Sequence, residues 1–234
     1  MRSNLIQSLK RKVKGRLNGK VRFGDLARTE PVSRHFGFDR GTPIDRYYIQ
    51  TFLSENAHLI QGRTLEIGDD EYTRQFGGKR TTRRDVLHVH ADNPMATIVG
   101  DLSTPDLLPA QAFDCAVITQ TLHLIYDMRG ALENLRDALK PGGTLLLTTP
   151  GITQISIDEW KHSWYWALAP LGAQRLFSDV FGESQVEVTS YGNVFAANAF
   201  LTGVATEEVP RHKLDILDPC YPVVVAVRAT RAAV

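Results

Sequence analysis

A chain of 234 residues, 43% of them apolar, fills one well-packed core and falls short of two ordinary domains. No apolar run approaches the roughly 20 residues that span a bilayer, and the N-terminus carries charge where a secretion signal places its apolar stretch, so the sequence predicts one cytoplasmic domain. Two cysteines, Cys115 and Cys220, lie far apart without metal-ligand spacing, which predicts free thiols in a reducing compartment.

The net charge of +1 hides an uneven distribution. Residues 1–22 hold eight basic side chains (Arg2, Lys10, Arg11, Lys12, Lys14, Arg16, Lys20, Arg22) and no acid, which leaves the remainder net acidic. Leu5, Leu9, Val13, Leu17 and Val21 recur every four residues, and on a helix they form one apolar stripe beside a basic face. Such a stripe packs on its own domain or a partner subunit, lies on a membrane surface, or belongs to a cleaved organelle presequence. Nucleic acid is not an expected partner, because the net basic charge is confined to this arm and the remaining body is net acidic. The expected division is an arm over residues 1–35 and a folded domain over 36–234.

From residue 44 the apolar spacing is helical: Ile44, Tyr47, Tyr48, Phe52 and Leu59 predict a helix that ends before Gly62. Short strands are expected over 64–68, 85–89, 97–99, 113–119 and 143–149. Between the last two, residues 128–140 place Ala131, Leu132, Leu135 and Leu139 on one helical face, and Pro141, Gly142 and Gly143 stop that helix. The runs around 115 and 145 are apolar almost without alternation, the pattern of strands covered by helices on both faces. Strand, helix, strand in this order implies parallel pairing with right-handed crossovers. A helix over 170–181 and strands over 185–190 and 223–228 complete the pattern. About 30 residues separate those two strands, where a hairpin needs only a few. This insertion, with an apolar helical stretch over 194–205, is a substrate lid, a homodimer contact or core packing.

The turn after the first strand, with Glu66, Gly68, Asp69, Asp70 and Glu71, stands where open parallel sheets bind ligands. Its acids disfavour a nucleoside triphosphate, which needs backbone donors and a lysine. They suit an ammonium group, ribose hydroxyls and a neutral purine, or they simply complement the dipole of a following helix.

Gly100-Asp101-Leu102-Ser103, the run from Phe113-Asp114 to Leu122-His123, and Leu139-Lys140-Pro141-Gly142-Gly143 follow that turn at spacings that resemble class I S-adenosylmethionine-dependent methyltransferases. The resemblance covers residues 36–234. It implies a Rossmann-like α/β fold: a seven-stranded, mostly parallel sheet with an antiparallel last strand, helices on both faces, and S-adenosyl-L-methionine across the tips of the first four strands. Residues 40–48 and Tyr191-Gly192-Asn193 resemble a bacterial branch associated with saccharide modification.

By this resemblance Glu66 and Gly68 open the first cofactor motif, at the amino-acid end of the ligand, whereas Asp70 and Tyr72 replace its later glycines. His90, with Asp92 two residues on, takes the place of the acid that holds the ribose hydroxyls. Asp101 corresponds to the acid at the adenine amino group, Leu102 to the residue whose backbone holds the ring, and Thr119 and Gln120 to the strand tip beneath the sulfonium. Arg40 and Tyr47 are expected to close over the methionine end.

The methyl group of such a donor is already activated, so the protein must align a nucleophile and exclude water. A hydroxyl nucleophile also needs a base. His123 is the first expectation for that base, since sugar O-methyltransferases of this fold frequently carry histidine there; the structural alternative is a ring that caps the next helix or bonds the backbone. Residues 156–166 contain all three tryptophans, Trp160, Trp164 and Trp166. If helical they present two aromatic faces, and Trp160, Trp164 and Tyr165 are expected to line an acceptor site. Asp158, Glu159 and His162 orient hydroxyls, supply a base in place of His123, or join a Mg2+ site, although no tight ligand spacing compels a metal. The resulting expectation is O-methyl transfer to a saccharide or glycosylated small molecule. The alternatives are N- or C-methyl transfer to a natural product or lipid head group, and a scaffold subunit of this fold without turnover.

Overall fold

A computed structural model describes residues 24–233. The amphipathic basic stripe expected over residues 1–22 lies outside them. The unit that carries the sheet is Pro31–Val234, and a separate unit ends at Glu30; its described part includes one 3-10 turn, Gly24–Ala27.

Among the described residues seven segments pair into one sheet: β1 (Gly62–Ile67), β2 (Thr81–His88), β3 (Ile98–Val99), β4 (Phe113–Thr119), β5 (Leu139–Pro150), β6 (Val186–Tyr191) and β7 (Val224–Thr230). Their spatial order is β3-β2-β1-β4-β5-β7-β6. The first five strands pair in parallel, and β7 runs antiparallel to both β5 and β6. Among the described residues four α-helices accompany them: α1 (Ile44–Glu55), α2 (Met128–Ala138), α3 (Pro170–Phe181) and α4 (Val194–Thr202).

The absence of alternation in β4 and β5 has a direct cause, since both faces of these strands are core. Ala116, Ile118, Leu145, Leu147, Val225 and Val227 pack with Ala131, Leu132 and Leu135 of α2 and with Ala173 and Phe177 of α3. Their neighbours Cys115, Val117, Leu146, Val224 and Ala226 face the opposite way, against Ile49, Phe52 and Leu53 of α1 and Ala196 and Phe200 of α4. Cys115 is therefore a buried free thiol, and Cys220 is an exposed one.

Several boundaries differ from the sequence expectation. The helix from Met128 stops at Ala138, and Leu139, expected on its apolar face, instead opens β5 opposite Phe113 of β4, so Pro141, Gly142 and Gly143 lie within the strand and do not end the helix. The helix from Ile44 stops at Glu55, where the Asn56 side-chain amide donates to the Phe52 carbonyl at 2.9 Å, and Leu59 belongs to a separate 3-10 turn, Ala57–Leu59. Strand β2 starts at Thr81 rather than at residue 85, because its first half, Thr-Thr-Arg-Arg, is polar and largely exposed and carries no apolar signal.

The insertion between β6 and β7 folds back over α1. The Tyr48 hydroxyl donates to the Leu214 carbonyl at 3.0 Å, Pro43 and Ala205 form an antiparallel bridge, and the Val32 and Ser33 amides donate to the Thr202 carbonyl. Gly203 ends α4 at φ 71°, where a Cβ would meet the Ser33 carbonyl oxygen at 2.2 Å. Core packing is thus what this segment does in the fold. Among the described residues no helix is long and apolar enough to cross a membrane.

Strand order reverses between β1 and β4, so crossovers leave the sheet in opposite directions and open a crevice beyond the carboxyl ends of these strands.

Candidate active site at the carboxyl ends of the strands

A cavity of about 900 Å³ fills that crevice. At the end of β1, Gly68 takes φ 82°, a left-handed conformation, and no atom lies within 4 Å of the point its Cβ would occupy. The strand end therefore offers bare backbone to the cavity. Glu66 lies behind this wall, 3% exposed, and its carboxylate accepts from the Tyr72 and Thr73 amides at 3.0 and 2.8 Å. Burial pushes its pKa up to about 7, against the pull of those two donors. Glu66 shapes the turn and does not line the cavity.

The acids that follow are turned to other uses. Asp69 accepts from the Glu71 amide at 2.9 Å, and Asp70 pairs with Arg84 at 2.8 Å and Arg74 at 3.4 Å. None of Asp69, Asp70 and Glu71 lines the cavity. They begin a helical segment that passes into a π-helical turn, Thr73–Gly77.

At the end of β2, His88 and His90 both line the cavity, and His88 Nδ1 accepts from the His90 amide at 3.2 Å. Asp92 does not reach it. After β3, Asp101 Oδ1 accepts from the amide and hydroxyl of Ser103, each at 2.8 Å, which leaves its second oxygen free at the cavity edge. Leu102 is buried beside it. Beyond β4, Thr119 is not among the lining residues and its carbonyl accepts from the Thr121 hydroxyl at 2.9 Å. Gln120 lines the cavity at φ 46°, a conformation unusual for a non-glycine residue.

His123 sits in a 3-10 turn, Leu122–Leu124, and is 1% exposed. Among the described residues neither ring nitrogen has a hydrogen-bond partner, and burial holds the pKa down to about 4, so the imidazole is neutral near pH 7. The ring makes neither of the structural bonds that the sequence left open. Asp127, not His123, caps α2, accepting from the Gly130 amide at 3.0 Å. Trp164 meets the imidazole edge-on, with centroids 4.5 Å apart.

The tryptophan stretch is not an α-helix. Asp158 caps a short 3-10 turn, Glu159–His162, by accepting from the Trp160 amide at 3.0 Å, and the chain then runs without helical structure up to Pro170. Trp160, Trp164 and Tyr165 nevertheless line the cavity. Trp166 turns away and donates from its indole nitrogen to the Ile125 carbonyl at 3.1 Å. His162 is exposed and outside the lining. Among the described residues no group of three or more His, Cys, Asp or Glu converges on a point where a metal ion would be held, so the Mg2+ expectation finds no donor set there.

Arg40 and Tyr47 do not meet the cavity. Arg40 forms an ion pair with Glu208 of the insertion, and the Tyr47 hydroxyl bonds Asp215. Their neighbours take the place expected for them: Asp45 and Arg46, on the first turn of α1, line the cavity together with Phe36 and Phe38. Sequence reasoning missed these four. A helical wheel separates Arg46 from Tyr47 by one position, and nothing apolar or spaced marks which of the two faces inward. Phe36 takes φ 57° in a turn held by the Ser33 hydroxyl, stacks on Trp164 at 5.9 Å, and contacts Phe200 of α4 at the same separation.

The cavity suits an adenosyl ligand on its own features: bare backbone at Gly68, free polar edges on His88, His90 and Asp101, an apolar floor at Leu102, and an unbonded imidazole further in.

A protein-family model described as a methyltransferase domain matches residues 27–186. No curated protein matches the chain in sequence. Among solved structures, the fold is similar to that of a SAM-dependent methyltransferase from Archaeoglobus fulgidus, at 11% identity and TM-score 0.53, covering 80% of this chain and 94% of that one. It is similar also to the N-methyltransferase NodS from Bradyrhizobium japonicum WM9, at 16% identity and TM-score 0.52, covering 88% and 94%; that protein was solved with S-adenosyl-L-homocysteine. The [4+2]-cyclase SpnF shares the fold as well, at 15% identity and TM-score 0.53, covering 87% and 90%. At these identities the likeness is one of fold, while the family match spans most of the sequence, and this chain accordingly belongs to the methyltransferase-domain family.

Proposed function

We propose that the protein is an S-adenosyl-L-methionine-dependent O-methyltransferase that acts on a hydroxyl of a saccharide or glycosylated small molecule. The observation that carries this reading is His123, a buried neutral imidazole with both nitrogens unbonded, inside a cavity walled by Trp160, Trp164 and Tyr165. A buried histidine kept only for packing would be expected to satisfy at least one nitrogen.

The bound cofactor supplies a methyl group already activated on a sulfonium centre. Gly68 would let the chain of that cofactor approach the strand end, Asp101 with Leu102 beside it would accept from an adenine amino group, and His88 and His90 would bond ribose hydroxyls. Binding of S-adenosyl-L-homocysteine to NodS, on a similar fold, supports the adenosyl assignment. The shared fold of a cyclase is a reminder that reaction type must come from the site.

His123 accepts the proton of the acceptor hydroxyl. Because burial disfavours an imidazolium, the proton leaves in concert with attack and not ahead of it. Aromatic side chains with polar edges suit the apolar face of a pyranose, and Phe36 stacked on Trp164 keeps water from the imidazole.

Transfer to an amine is the second reading, favoured by Asp127 and Asp158 in the cavity lining, which suit a cationic acceptor. An amine would depend less on His123, because it can lose its proton to water before it attacks. The test is incubation with labelled methyl donor and panels of glycosides, amines and phenols, read by mass spectrometry. Label on glycosides, lost in His123→Leu, is expected. Label on amines alone, retained in His123→Leu, overturns the hydroxyl reading.

A further inference from the structure

We infer that Asp45 and Arg46 form a clamp for an amino-acid zwitterion, Asp45 accepting from an α-ammonium and Arg46 donating to an α-carboxylate, with Tyr72 fixing the guanidinium. The inference rests on the cofactor reading above and specifies what grips the amino-acid end.

Arg46 has the features of a cation that awaits an anion. Among the described residues it makes no ion pair with a carboxylate. Its side-chain hydrogen bond goes to the Tyr72 hydroxyl, and its guanidinium carbon lies 5.6 Å from the Phe38 ring centroid and 5.5 Å from that of Tyr72. Two aromatic faces and one phenol orient the fork, and most of its five N–H donors remain free toward the cavity it lines.

Asp45 is the complementary half. Within the described residues its carboxylate accepts only from the adjacent Arg46 amide, at 2.9 Å, and it too lines the cavity. An acid in the first turn of a helix complements the dipole, which accounts for an acid at this position but not for its facing a cavity. Burial raises its pKa, a cost that an ammonium partner would offset.

Opposite charges on consecutive residues exclude simpler ligands. A phosphate would meet repulsion from Asp45, and a metal ion would meet repulsion from Arg46. A zwitterion satisfies both. The arrangement also accounts for the unusual turn after β1: Tyr72 stands where the resemblance calls for glycine, its amide is held by Glu66, and its phenol reaches Arg46. The positive group that the acids at 69–71 were expected to meet has its acid on α1 instead.

Titration calorimetry with three ligands separates the contributions: S-adenosyl-L-homocysteine carries both charged groups, decarboxylated S-adenosylmethionine only the ammonium, and 5′-methylthioadenosine neither. Arg46→Met is expected to weaken S-adenosyl-L-homocysteine by about 10- to 100-fold and to leave the other two ligands within about twofold. Asp45→Asn is expected to weaken both ammonium-bearing ligands and to spare 5′-methylthioadenosine. Tyr72→Phe keeps the ring and removes the orienting hydroxyl, so it carries the test if Arg46→Met melts early; it should weaken S-adenosyl-L-homocysteine alone. Equal loss for all three ligands, or no loss for S-adenosyl-L-homocysteine, overturns the clamp and leaves an adenosine site standing. A wild-type protein that binds none of them overturns the cofactor reading and the clamp with it.

Discussion

Replacing His123 with leucine separates a functional histidine from a packing one, because the two make opposite predictions for stability. The imidazole is 1% exposed, and among the described residues neither nitrogen has a hydrogen-bond partner. A buried polar group without a partner costs about 1–3 kcal/mol. Leucine is of similar volume and has no polar atom, so the variant should be more stable by up to that amount, less any strain against the Trp164 ring 4.5 Å away. In a domain of this size each kcal/mol moves Tm by about 2–4 °C, so differential scanning fluorimetry should show a rise of several degrees. Methyl transfer to the preferred hydroxyl acceptor should fall by about 10²- to 10⁴-fold, the usual contribution of a general base. Calorimetry with S-adenosyl-L-homocysteine should show unchanged affinity. A variant that melts lower and keeps its turnover would refute the reasoning, since His123 would then be a core residue whose partners went unseen.

The remaining predictions concern pH, the strand end and the acceptor wall. His123 has its folded pKa depressed to about 4 from 6.5, so between these values the unfolded chain binds the proton and the folded one does not; its contribution to stability is lost as pH falls through that window and is flat above it. Glu66, raised to about 7 from 4.5, has the opposite sign and loses stability as pH rises through its window. Each slope is read as a difference between wild type and His123→Leu or Glu66→Gln in denaturant titrations. In kcat/KM the limb assigned to His123 should lie near pH 4, and a limb near 6.5 that vanishes in His123→Leu would contradict its burial. Gly68→Ala forces a methyl into a left-handed residue at φ 82° that faces open cavity; the strain should cost about 1–2 kcal/mol and S-adenosyl-L-homocysteine affinity should fall by about tenfold or more. Trp164→Ala should raise the acceptor KM by several-fold, in line with about 0.5–1.5 kcal/mol for an aromatic contact, without altering cofactor affinity in the same calorimetric assay.

The fold was legible where the sequence is most apolar. The buried runs of β4 and β5 and the alternation of strands with helices lead to a parallel sheet, and their order with Asp101 and Leu102 leads to the family. The helix stop read at Pro141-Gly142-Gly143 falls inside β5, since the helix ends at Ala138. The exposed start of β2 was not legible, because Thr-Thr-Arg-Arg carries no burial signal. In the site, Gly68, His90, Asp101, Gln120 and His123 do gather around one cavity, and so do Trp160, Trp164 and Tyr165. The helical phase of the tryptophans gave no help, since these residues stand on a 3-10 turn and the non-helical chain after it. Charge misled most. Asp69, Asp70 and Glu71 were conspicuous in sequence yet serve the turn and its ion pairs, and Arg40 and Tyr47 bond the insertion. Which of two neighbouring polar residues faces a cavity depends on helix phase and long-range packing, and the partner that settles it, Tyr72, is remote in sequence from Arg46.

A crystal structure grown with S-adenosyl-L-homocysteine decides whether the crevice is a cofactor site. One molecule is expected there, with adenine by Leu102 and Asp101, ribose at His88 and His90, the chain passing Gly68, and the sulfur facing His123. Density for the ligand outside this crevice, or none in crystals soaked to saturation, would contradict that assignment.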